Sequence, residues 1–485
     1  MGRALVSMVM LCGLVGVAAA QLTGFVVLLR AIPPGRVSPV GFVILVLVMF
    51  GWAGCLVWAL GRGLWRALRQ RDERPTGPAL DADQAPGLWE LVREVAAEAG
   101  TRPPHEVRLM SEINFRYAHA FLRGRRTLFI GLPLLQTMTV GHARFGVAHF
   151  MAHFAAGHTR WVGFAIRSDT AVVTTAEALR PTNPAAWAFR GYRWLYRLID
   201  NAVCRRWEFR ADAVGVREAG SADAVGAMHE IWAVRDAWNF FYDFYLGPGV
   251  EAGHLPDDVF GGFAEFVAAR KDELDALRAK PLPANTSRWD PYPSSATRAA
   301  RFPESFAVSD GRPAATLILD LAAAQAALCA VELEATRAAW HAVGQEVEDD
   351  MVLAWPEFTH AATTAQLQRE TDGMLHTIGL AGPGLPQVLR MLEDGGLDEV
   401  ARPLFPDAAP EELPELFLTP LEVLMNLAAV RAGRAVFRHS WSEPAELVAS
   451  DGSPLDLTKV AERAITDPRG ATAELAALGI GIWRA

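Results

Sequence analysis

The stretch Val147-Ala148-His149-Phe150-Met151-Ala152-His153-Phe154 decides how this chain is read. Its two histidines stand four residues apart. On an α-helix that spacing stacks them on one face, where two imidazole nitrogens reach a single metal ion at about 2.0–2.1 Å. The flanking residues predict such a helix. Thr139 is a suitable N-cap for a segment from Val140 to about Ala156, and Gly157 suits its end. His142 occupies the position where a capping box has glutamate. A paired-histidine spacing is a weak signal by itself, since the chain holds 12 histidines in 485 residues, so the surroundings have to decide.

Further along lies Arg206-Trp207-Glu208-Phe209-Arg210-Ala211-Asp212, on a helix expected from about Pro184 to Gly220. Glu208 and Asp212 also share a helical face. Two readings stay open from the residues alone. In one, Glu208 is a third metal ligand and Asp212 accepts a hydrogen bond from a ligand histidine, fixing its tautomer. In the other they are a solvated acidic pair between arginines. Before the histidines, Leu88, Leu91, Val92, Val95 and Ala96 repeat at helical spacing from Pro86. Glu106–Met110 and Thr127–Ile130 read as short strands, and Gly131-Leu132-Pro133-Leu134-Leu135 ends the second and opens a helix.

This order resembles the HtpX and CAAX-prenyl-endopeptidase type of membrane zinc metallopeptidase: a strand, then G-x-P-L-L, then H-E-x-x-H on a helix, then E-x-x-x-D on a later helix. The resemblance covers roughly residues 85–302. It implies one Zn²⁺ held by His149, His153 and Glu208, with Asp212 behind them. It further implies peptide-bond hydrolysis by a metal-bound water and a protein or peptide as substrate or ligand.

The sequence departs from that pattern in three places. Phe150 stands where the family has the glutamate that deprotonates the water and passes the proton to the leaving amine. A phenyl ring can do neither, and losing such a group costs about 10²–10⁴ in rate. Tyr292, in Asp290-Pro291-Tyr292-Pro293, stands where relatives often carry a His-Pro. Between the two motif helices, where some relatives have membrane spans, Arg167, Asp169, Glu177 and Arg180 interrupt the apolar pattern, so a soluble segment is expected. His142, two turns before His149, and His158, beyond Gly157, are the nearest other bases, and neither is expected to reach a metal-bound water.

The N-terminus carries the location signal. Residues Ala4–Leu29 and Ser38–Gly61 contain no charge, and each is long enough to cross about 30 Å of hydrocarbon as a helix. The Arg30–Val37 turn between them, rich in Pro and Gly, predicts a hairpin with spans about 4–29 and 38–61. Arg62, Arg66, Arg69, Arg71 and Arg74 follow the second span, which places everything after it in the cytoplasm, behind a multi-pass anchor in the cytoplasmic membrane. A cleaved signal peptide ending at Ala18-Ala19-Ala20 is the competing reading. A net charge of -9 offers no case for nucleic acid. The four cysteines contain no C-x-x-C pair and read as thiols rather than a disulfide framework.

The fold class expected is α+β and predominantly helical. A transmembrane hairpin occupies residues 1–75, with a polar linker near 71–84. A zincin-like metallopeptidase domain follows at 76–305 and a mainly helical region of unknown role at 306–485. Within the last, Ala314–Val343 reads as helix, and Ala445–Val448 with Leu455–Leu457 as a hairpin. On the later motif helix, Trp187, Trp194, Leu195 and Leu198 form an apolar stripe beside Arg190, Arg193 and Arg197. An ordinary amphipathic helix turning that stripe inward is the expectation, with contact to an anionic leaflet as the alternative. Trp238–Tyr245 is expected as a core helix. Two functions follow: a zinc metalloendopeptidase with badly impaired turnover, or a pseudopeptidase that binds or regulates at the membrane without hydrolysis. A metal-free scaffold is a third.

Overall fold

The computed structural model describes residues 2–31, 38–69, 76–119, 125–155, 170–171, 173–175, 177–178, 184–287, 289–303, 309–344, 348–380 and 384–480. Most of the expected 30–37 turn, Arg71, Arg74, Gly157, His158, Arg167, Asp169 and Arg180 lie outside the described residues. Helix α1 spans Gly2–Ala31 and α2 spans Pro39–Arg69. The two helices pack together, with the Phe25 and Trp52 rings 5.3 Å apart. Pro39–Arg66 is long and apolar enough to cross a membrane, and its Val40, Val43, Leu47, Val48 and Phe50 side chains are exposed. The helix continues past the expected end at Gly61, and the Arg62 and Arg69 guanidiniums lie over the Trp58 and Trp65 rings. Leu413–Arg431 passes the same length and composition test. Its Leu421, Leu424 and Met425 are buried within their own unit, as in a soluble core.

Packing divides the described chain into two compact units, residues 1–234 with 276–331 and residues 235–275 with 332–485. This division differs from the one expected at 305: residues 276–331 stay with the first unit and 235–275 join the second. The first unit contains α3 (Pro86–Glu98), β1 (Glu106–Met110), β2 (Phe115–His119), β3 (Arg126–Gly131), α4 (Leu132–Thr137), α5 (Val140–Ala155) and α6 (Pro184–Ala219). Helix α7 (Ser221–Phe241) begins in it. On α3 the residues buried are the five picked out by spacing, Leu88, Leu91, Val92, Val95 and Ala96. The sheet has the order β1-β3-β2. Strand β1 runs parallel to β3 from Glu106↔Thr127 to Met110↔Gly131, and β2 runs antiparallel from Phe115↔Ile130 to His119↔Arg126. Strand β2 is therefore an edge strand. Gly131 has to be glycine where the three strands converge, since a Cβ there would lie 2.2 Å from the Glu112 carbonyl.

Helix α5 begins as the sequence predicts: the His142 N–H donates to Thr139 Oγ1 at 3.2 Å. Two more of its free N-terminal donors are met from far along the chain. Val140 N–H donates to the Arg312 carbonyl at 2.7 Å and Gly141 N–H to the Asp310 carbonyl at 2.9 Å. These bonds explain why residues just after 308 belong to the first unit. The expected helix from Ala314 is broken: a 3-10 turn, Ala314–Leu317, precedes α-helix Leu321–Ala342, whose first turn is capped by Asp320.

In the second unit, buried Val388, Phe417, Leu421, Met425 and Leu475 form the core of a helical array. Phe241 is buried among Phe263, Phe266 and Trp355, and Trp238 packs on Phe260 and Phe263. The expected core helix around Trp238–Tyr245 is therefore half right: Phe240, Tyr242 and Phe244 are exposed, and Tyr242–Leu246 winds as a π-helix. The expected C-terminal hairpin is present only as a short return: Glu446–Ala449 pairs antiparallel with Ala435–Arg438, and the following segment turns back through an antiparallel bridge between Val448 and Pro454 and the Leu455 N–H to the Leu447 carbonyl.

Candidate metal centre

Helices α5 and α6 pack side by side and carry the two halves of the site. Their close approach is set by a small residue: a Cβ on Gly215 would stand 2.7 Å from the Phe145 ring. With the helices so near, the four residues singled out by spacing meet in the interior. His149, His153, Glu208 and Asp212 are all buried. The Nε2 atoms of His149 and His153 are 3.3 Å apart. Glu208 Oε2 lies 3.4 Å from His149 Nε2, and Oε1 lies 3.6 Å from His153 Nε2. Two ligands at about 2.0–2.1 Å on a tetrahedral ion stand roughly 3.3 Å apart. The spacing thus fits a single small cation, and the His149, His153 and Glu208 donor atoms can hold a metal ion.

The next layer orients the first. Asp212 Oδ1 lies 2.9 Å from His149 Nδ1. A carboxylate there accepts the Nδ1–H and leaves the Nε2 lone pair facing Glu208 and His153. The Arg298 guanidinium completes the layer, donating through Nε to Asp212 Oδ2 at 2.8 Å and through Nη2 to Oδ1 at 2.5 Å. Arg298 sits on a short helix, Ser295–Ala299, whose first turn Ser294 caps by accepting from Thr297 N–H. The family resemblance drew attention to Tyr292 in this segment. Tyr292 is exposed, and Arg298, six residues on, is the residue that reaches the site.

The electrostatics follow from this fork. Burial would raise Asp212, but the Arg298 guanidinium and the His149 ring outweigh it and hold the carboxyl at about 2. Burial likewise works against Glu208, and the His149, His153 and Arg298 charges bring it below the usual carboxylate range. The His149 ring is raised: burial opposes its charge, and the Asp212 and Glu208 carboxylates overcome that. These are anionic oxygens around imidazoles, the donor set a divalent cation takes in exchange for a proton.

The Phe150 ring borders this donor set, 6.0 Å from the His153 ring. Its ring lies 6.1 Å from Phe115 and 6.0 Å from Tyr117, both on edge strand β2. It also meets the His149 ring edge-on at 5.0 Å. Tyr117 in turn stacks on His153 at 5.4 Å. Position 150 is thus part of an aromatic wall between α5 and β2. His142 is two turns away, against Gly226 of α7, where a Cβ would lie 2.4 Å from its Nε2. Burial lowers the His142 ring, and it has no part in the site.

Neither a curated protein nor a solved structure matches the chain. A family model does: peptidase family M48 matches residues 82–302, consistent with the HtpX and CAAX-endopeptidase type. That span holds the three-stranded sheet, both helices of the metal centre and Arg298, and its match to the peptidase family M48 model covers a little under half of the chain.

Proposed function

We propose that this chain is a membrane-anchored zinc protein of metallopeptidase descent that binds extended peptide and hydrolyses it poorly or not at all. The anchor is the α1–α2 pair, read as a hairpin that crosses the cytoplasmic membrane and leaves the remaining chain in the cytoplasm. Zinc is assigned to His149, His153 and Glu208, with Asp212 and Arg298 fixing the His149 tautomer. Bound there, zinc would polarise a carbonyl and lower the pKa of a coordinated water. The peptide is assigned to the edge strand β2, where an extended strand could add to the sheet.

The observation that carries the impairment is Phe150. The side chain next to the first metal-binding histidine has no proton to take or give, and His142, the nearest other described histidine on that helix, lies against Gly226 instead. Its packing favours the pseudopeptidase reading over a weak enzyme. Phe150 rests on Phe115 and Tyr117 as a built surface, so the substitution has neighbours shaped to it.

Two measurements on the full chain test this. Metal analysis of the purified protein should return one zinc per chain, lost in His149→Ala and in Glu208→Ala. Turnover of a casein-type substrate should be near background for the native sequence and rise about 10²–10⁴-fold in Phe150→Glu. Equal turnover in both proteins would refute the role given to position 150. Zinc-free protein would leave only a scaffold.

A further inference from the structure

The aromatic and basic stripe on the N-terminal half of α6 does not pack inward, contrary to the expectation from its sequence. Trp187 is 71% exposed, Trp194 49% and Leu195 45%. Arg190 and Arg197 are exposed as well. At 100° per residue, Trp187 and Trp194 fall within about 20° of each other on the helix. Arg190 and Arg197 lie about 60–80° to one side and Leu195 about 80° to the other. Tryptophans along the centre line, an aliphatic residue on one flank and guanidiniums on the other make the profile of a helix lying in a membrane interface. Trp194 also leans on Trp289, ring centroids 5.2 Å apart, which fixes its orientation without covering it.

Two further observations say what meets this face. Helix α1, with its uncharged run Ala4–Leu29, packs against α6. Helix α2 meets the chain shortly before α6 in sequence: a Cβ on Gly63 would lie 2.2 Å from Thr175 Oγ1. The helix that carries the stripe thus packs against the apolar N-terminal helix α1. Its exposed charges are cationic, complementary to anionic headgroups.

We infer that residues 187–198 of α6 seat on an anionic bilayer surface beside the anchor. This inference rests on the reading of α1 and α2 as membrane helices. The same unbroken helix carries Glu208 and Asp212. Glu208 follows Trp194 by fourteen residues, about 21 Å along a helix. A peptide bound at the metal centre is then drawn from within about that distance of the headgroups, which selects the membrane-proximal segments of other anchored proteins.

The test uses the full chain reconstituted into vesicles of phosphatidylcholine, with or without phosphatidylglycerol. Both contain a trace of phosphatidylcholine bearing a photoreactive group near the top of its acyl chain. After irradiation, lipid adducts are mapped by peptide mass spectrometry. Adducts are expected on α1 and α2 in both vesicles, and on residues 187–198 several-fold more in the anionic ones. Arg190→Glu with Arg197→Glu should abolish that increase and leave the α1 and α2 adducts unchanged, an internal check that insertion persists. Adducts on α1 and α2 alone would overturn the inference and spare the anchor, as would α6 adducts insensitive to lipid charge. Absence of adducts from α1 and α2 would overturn the anchor reading itself.

Discussion

At the scale of single residues, the site is a chain of dependence from Arg298 through Asp212 to His149. Arg298 and Asp212 are paired away from water, so removing one partner strands the other. Arg298→Ala should therefore destabilise the first unit by about 3–5 kcal/mol and weaken zinc binding about 10–100-fold, as read by calorimetry and metal titration. The same pair predicts a pH dependence. The folded Asp212 carboxyl sits at about 2, below its ordinary 3.8. Its contribution is therefore complete above about pH 4 and lost as pH falls through 2, on the order of 2 kcal/mol. In chelated protein, Asp212→Asn should flatten the stability profile across that window; an unchanged profile would mean the charge is not held by this fork. His149, His153, Glu208 and Asp212 were legible in the sequence because i,i+4 spacing puts each pair on one helical face and the family resemblance told which faces mattered. Arg298 was not, because it arrives from 86 residues beyond Asp212 and nothing in local spacing connects them.

At the scale of elements, the metal centre is a consequence of how closely α5 and α6 approach. Both helices were readable to within a residue or two from Thr139, Pro184 and Gly220, since caps and breakers act locally. Their contact was not, since it depends on a glycine that looks incidental in sequence. Gly215 admits the Phe145 ring, and any side chain there pushes the helices apart. Gly215→Val should cost about 1–3 kcal/mol and lower zinc affinity, because the histidines and Glu208 lie on opposite helices. Gly191, on α6 too, has open space around it. Gly191→Ala should stabilise by about 0.5–1 kcal/mol through helix propensity alone and leave zinc binding unchanged. Melting curves and metal titration of the two variants separate packing from propensity; equal effects would show that the close approach does not set the site. Strand β2 escaped the sequence reading for a related reason. Phe115-Arg116-Tyr117-Ala118-His119 is short and shows no apolar–polar alternation, and only its pairing with β3 identifies it. With it went any view of what surrounds Phe150.

At the scale of the molecule, a metal ion at this centre would tie together only part of the chain. His149 and His153 from one helix and Glu208 from another belong to the first unit. The second unit has its own buried core around Phe417, Leu421 and Met425, and the ligand group His149, His153 and Glu208 found among the described residues draws on the first unit alone. A bound ion stabilises only the conformations that present its ligands, by an amount that grows with its concentration over the dissociation constant. Stripping zinc with a chelator should therefore loosen α5 and the second half of α6 and leave the second unit as it was. Hydrogen exchange on the full chain makes this concrete. Amides in residues 140–155 and 201–219 should exchange faster after chelation, and those in 385–477 should not change. Faster exchange throughout both regions would mean that the ion's influence crosses from one unit to the other. No change in either would mean that the Arg298, Asp212 and Glu208 network holds the two helices by itself and that zinc is not structural here.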